Sequence, residues 1–179
     1  FIADGIRVLF NFNSVIAGFL LGFFRPILVM FGMHYSIMPI QIQQVATNGS
    51  TDLLASAFTA NLAQAGAVLA AVLFVDKTER SAAATAGLTA MFGITEPAIY
   101  GYNLKLKVPF FAACLASGIV AAILALFNVV ANSVTLPNIL SVGILSGNLS
   151  LAVITTLVLL SAVLAFVLTV VGMKVFGKK

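Results

Sequence analysis

Residues 81–101, SAAATAGLTAMFGITEPAIYG, are apolar enough to be taken for a membrane span, yet Gly93 interrupts them and Glu96 is followed directly by Pro97. Gly93 suits the end of one half-helix, Thr95 or Glu96 can cap the next, and Pro97 is favoured at its start. The stretch therefore reads as two half-helices meeting at a tip near 93–97. Whether it crosses the membrane or turns back decides the architecture of the chain.

Outward from the tip, the composition is that of a lipid-embedded protein. Of 179 residues, 61% are hydrophobic and 8% charged, with a mean hydropathy of +1.16, where a soluble domain carries about a quarter charged residues. Windows of roughly 20 apolar residues mark spans near 14–31, 53–75, 108–131 and 151–174. Between the first two, 32–52 turns polar through QIQQVATNGSTD and reads as a shallow re-entrant segment, with Asn48 and Gly49 as turn residues. Residues 132–150, NSVTLPNILSVGILSGNLS, read as an irregular external connection. Residues 1–13 form an N-terminal flank and 175–179 a basic tail. Fold class is thus all-α integral membrane, with about four transmembrane helices plus re-entrant hairpins.

Nine Lys and Arg against five Asp and Glu give a net charge of +4, and the basic residues sit between apolar runs. They report topology rather than a nucleic-acid partner. The clusters are Lys77 with Arg80, Lys105 with Lys107, and Lys174 with Lys178 and Lys179. Cytoplasmic loops collect such residues, and all three clusters share one side only if 81–103 enters and returns on that side. Irregular backbone at membrane depth survives only against protein or a water-filled cavity, so the tip is expected to face a cavity.

Glu96 is then the one acidic residue at depth; Asp4, Asp52, Asp76 and Glu79 lie in flanks or loops. A charge there costs several kcal/mol on the mildest scales and is a functional candidate by default, favoured by the dipole of the helix it opens. The alternative is a structural cap on the tip. His34, the only histidine, stands in GMHYSIMPI with Tyr35, Ser36 and, further on, Gln41, Gln43 and Gln44. Imidazole, hydroxyls and amides supply the donors and acceptors a sugar needs, although a lone histidine also occurs as a satisfied core residue. Tyr35 and Tyr100 offer apolar faces for a pyranose ring; Tyr102, beside Lys105 and Lys107, fits an interfacial aromatic belt. Arg25 reads as a residue snorkelling to the interface.

Cys114 is the single cysteine, a packing residue that excludes an internal disulfide and a metal cluster. Phosphate-loop, dinucleotide, zinc-protease and nucleophile-elbow motifs are absent, so neither cofactor nor metal is expected. The chain opens on Phe1 without a recognisable signal peptide and reads as a piece of a longer protein.

GMHYSIMPI and GITEPAIYG, with NSVIAGFLLGFFRPILVMFGMH, AQAGAVLA and FGITEPAIYGYNLKLKVPF, together resemble the IIC component of bacterial phosphotransferase-system sugar permeases. The branch is the β-glucoside, sucrose and trehalose one of the glucose superfamily. The resemblance implies a C-terminal transport domain with two re-entrant hairpins, in the bacterial inner membrane, moving against a dimerising scaffold that lies outside this chain. It also implies that His34 and Glu96, with Thr95, Tyr35 and Tyr100 beside them, bind the sugar. That sugar would be phosphorylated at its 6-hydroxyl by a cysteine of EIIB, fed through EIIA and HPr. Cys114 does not match that cysteine's motif, so this chain alone is not expected to transfer phosphate. Two alternatives remain from residue types: another transporter or channel with a broken helix, and an intramembrane enzyme using His34 and Glu96 as base and acid.

Overall fold

The computed structural model describes residues 13–176; most of the expected N-terminal flank and part of the basic tail lie outside the described residues. Helix α1 spans Ser14–Met30 and begins where the Asn13 side chain accepts from the backbone N–H of Val15 and Ile16, at 2.9 and 3.2 Å, an N-cap that satisfies two orphan donors. Gly32, at φ 71°, ends it and leads through a 3-10 turn, Met33–Ile37, into α2, Met38–Asn48. Helix α3 is Ala55–Ala71 and α4 is Arg80–Met91. A helical run, α5, starts at Glu96–Ala98, passes through a π-helical turn at Ile99–Asn103 and closes at Leu104–Leu106. Helix α6, Val108–Leu126, and α7, Leu151–Phe176, complete the set.

The core is built from small residues, as expected where no water drives helices together and close van der Waals approach must do so. Helix α3 is the hub: it packs on α1, α4, α6 and α7, and only Asn61 and Leu69 along it are not fully buried. A Cβ on Gly66 would lie 2.0 Å from the Ala162 carbonyl oxygen of α7. Gly18 and Gly22 do the same for α1 against α6, where added Cβ atoms would meet the carbonyls of Ala121 and Ser117 at 2.7 Å each. Some polar groups inside pair across helices: the hydroxyls of Thr59 and Ser117 lie 3.1 Å apart, and Asn103 donates to the Gln64 carbonyl at 3.0 Å and to its side-chain oxygen at 2.7 Å, while Gln64 Nε2 and Asn103 Oδ1 are buried without a partner.

At one end, β1 (Val130–Ala131) pairs antiparallel with β2 (Leu145–Ser146), and Thr51 bridges to Ala131. The connection from α6 to α7 is thereby tied to the segment joining α2 to α3. The outer surface is apolar instead of charged: Phe111, Val163, Val171 and Val175 are each more than half exposed, as suits a face covered by lipid or another protein surface.

Among the described residues, two helices are long and apolar enough to cross a bilayer, α6 and α7; α1 is a shorter apolar helix. The expected span at 53–75 is a 17-residue helix, α3, about 26 Å long at 1.5 Å per residue, because residues 72–75 wind into tighter turns in which Leu73 bonds Ala70 and Phe74 bonds Ala71.

Candidate functional site

The tip forms as its sequence dictates. Gly93, at φ 95°, takes a conformation that L side chains rarely adopt, and its N–H bonds the Ala90 carbonyl while that of Ile94 reaches Thr89, the paired bonds of a glycine-terminated helix end. Two residues on, Thr95 occupies the N-cap of α5, Glu96 is its first residue and Pro97 its second. The expected side-chain cap is missing: Thr95 makes no capping hydrogen bond and is buried, 4% exposed.

Gly93, Thr95 and Glu96 line a cavity of about 190 Å³ whose other walls come from distant parts of the chain. The 3-10 turn supplies His34 and Tyr35, α2 supplies Met38 and Gln41, α1 supplies Arg25, and α3 supplies Asn61. His34 and Glu96, 62 positions apart in sequence, thus share one cavity, with Thr95 and Tyr35 beside them. The His34 and Tyr35 rings lie 4.1 Å apart, tilted by 37°. A neutral imidazole donates through one nitrogen and accepts through the other; Nδ1 of His34 is buried without a hydrogen-bond partner.

Tyr100 is the exception among the singled-out residues. It is not in the cavity wall; its hydroxyl donates to the Met30 carbonyl at 2.8 Å, joining α5 to the end of α1. Tyr102 packs half-buried against the cluster containing Ala86 and Ala90.

Two features were not foreseen. Arg25 does not snorkel: it is 8% exposed, and its Nη1 donates to the Leu53 carbonyl at 3.2 Å and to Ser56 Oγ at 3.5 Å. The connection at 132–150 is more than an external loop, because Val134, Thr135, Leu136 and Pro137 close one side of the cavity. Asn61 donates to the Pro137 carbonyl at 2.8 Å, Ile139 N–H bonds the Met91 carbonyl, and Gly93 leaves room for Leu136 and Pro137 where a Cβ would sit at 2.9 Å. Arg25 was visible as a charge in an apolar run; the loop carried no local signal.

The cavity brings together donors, from Arg25, Gln41 and His34, and the Glu96 carboxylate, with Tyr35 in the same wall. Donors and an acceptor thus line one cavity, and hydroxyl groups can pair with both kinds. A family model described as phosphotransferase system, EIIC, matches residues 1–118. The chain belongs to the phosphotransferase system EIIC family. Similar EIIC-containing proteins include the β-glucoside-specific EIIBCA component of Halalkalibacterium halodurans, 40% identical over 66% of this chain and 19% of that protein. The sucrose-specific EIIBC component of Staphylococcus xylosus is 38% identical over 72% of this chain and 28% of that protein. The sucrose-specific EIIBCA component of Pediococcus pentosaceus is 34% identical over 99% of this chain and 27% of that protein. This EIIC chain spans between about a fifth and about a third of the length of such relatives. No solved structure matches it.

Proposed function

We propose that this chain is the sugar-binding and translocating part of a phosphotransferase permease, carrying a glucoside or disaccharide inward for 6-phosphorylation by an associated EIIB. The observation that carries the reading is the shared cavity, to which two segments far apart in sequence contribute His34 and Glu96. In this reading Glu96 accepts from sugar hydroxyls, its charge favoured by the start of α5, while His34 and Thr95 complete the polar contacts and Tyr35 offers a ring face. Tyr100 serves by holding α5 on α1 instead of touching sugar. A cavity of about 190 Å³ is smaller than the roughly 300–1,000 Å³ that encloses drug-sized ligands, a scale suited to one sugar ring with a second unit at the mouth.

The relatives are named EIIBC and EIIBCA components, which supports EIIB and EIIA as partners and, through them, HPr. Four crossings by α1, α3, α6 and α7, with re-entrant segments at 32–52 and 81–103, keep Lys77, Arg80, Lys105, Lys107 and Lys174 on the cytoplasmic side of a bacterial inner membrane. A homodimer would form through a scaffold outside this chain.

The full-length protein in sealed vesicles tests both parts. Supplied with a phosphorylated EIIB, it should accumulate at least one of labelled sucrose, trehalose and an aryl-β-glucoside; accumulation of none by folded protein would sink the reading. In the same vesicles, Thr78→Cys and Lys105→Cys variants should react with an impermeant maleimide from one side. Reaction from opposite sides would mean that 81–103 crosses.

A further inference from the structure

Helix α2 carries two buried glutamines one turn apart, Gln41 and Gln44, 2% and 8% exposed. Gln44 is satisfied: its side-chain oxygen accepts from the Thr51 hydroxyl, and Thr51 in turn is bonded through its backbone to Ala131. Gln41 is not. Its Nε2 is buried with no hydrogen-bond partner, and the side chain lines the cavity that holds His34 and Glu96. A buried amide N–H without a partner is costly and rare in a folded protein, and it becomes cheap when a ligand supplies the acceptor.

We infer that Gln41 is a sugar ligand that sets specificity: its side-chain amide donates to one particular hydroxyl or ether oxygen of the ring bound in the cavity it shares with Glu96. The inference rests on the reading of the cavity as a sugar site. Two acceptor-rich ring positions can then be told apart, because only the one presenting an oxygen to Nε2 satisfies the amide, and a sugar lacking that oxygen leaves it buried and unpaired. The neighbouring Gln44, on the same helical face but already bonded to Thr51, is a structural residue and serves as the control.

The test measures binding of a substrate glucoside and its monodeoxy series to the full-length protein, as wild type, Gln41→Leu and Gln44→Leu. Gln41→Leu should weaken the parent sugar on the order of 10-fold or more, and this penalty should vanish for one deoxy analogue while persisting for the others. Gln44→Leu should lower the melting temperature yet keep the wild-type preference among the analogues. Unchanged affinity in Gln41→Leu, or a loss equal for every analogue, overturns the inference while leaving the cavity as the sugar site. If instead the wild type binds none of the sugars, the reading of the cavity fails, and the role of Gln41 with it.

Discussion

Replacing Glu96 with glutamine should lower the sugar affinity of the full-length protein by roughly 10- to 100-fold while leaving its melting temperature unchanged. The amide keeps the size of the side chain but removes the charge and exchanges an accepting oxygen for a donor. A hydrogen bond to a charged group contributes about 1.5–3 kcal/mol net, and each 1.4 kcal/mol is tenfold in affinity. The cavity already holds the donor side chains Arg25 and Gln41, so a further donor gains nothing. Stability should hold because Glu96 is exposed within the cavity, and the turn itself is fixed by Gly93 and its backbone bonds. The outcome separates two roles for the carboxylate: a structural cap would lose melting temperature and keep affinity.

The second large effect concerns the bundle. Gly66→Ala places a Cβ 2.0 Å from the Ala162 carbonyl oxygen, against backbone that cannot rotate away. Helices α3 and α7 must separate, and because α3 is buried on nearly every side the shift spreads to α1, α4 and α6. Overpacking of this kind costs about 1–3 kcal/mol and more where backbone is struck. Gly66→Ala should therefore give markedly less folded protein and a lower melting temperature in detergent. Gly101→Ala, whose Cβ meets nothing within 4 Å, should behave almost as wild type. Equal behaviour of the two variants would contradict the close α3–α7 crossing.

What could be read in advance was whatever local chemistry fixes. Gly93 and the pair Glu96–Pro97 announce a helix end and a helix start within four residues, and the break lies there. Amide and hydroxyl neighbours marked His34. Arg25 reads locally as a snorkelling residue because its partners, Leu53 and Ser56, lie 28 and 31 positions away, and no window of sequence brings them together. The wall at 134–137 was hidden for the same reason: its anchor is Asn61, 76 positions from Pro137. Tyr100 was a candidate by adjacency to Glu96, but four residues of helix, through the start of the π turn, carry its hydroxyl to the Met30 carbonyl. The length of α3 is not legible because Val72, Leu73, Phe74 and Val75 continue the apolar run and give no local signal for where regular helix stops.

In the proposed reading, sugar occupies the cavity between the His34 turn and the Glu96 tip. Thr135 is an exposed residue on its wall, whereas Cys114 is wholly buried. A Thr135→Cys variant of the full-length protein, in a background without other reactive cysteines, can be alkylated in the presence and absence of a saturating substrate sugar. Several-fold slower alkylation with sugar, abolished when Glu96→Gln is added, is the predicted result; an alkylation rate indifferent to a sugar that the same protein transports would contradict it.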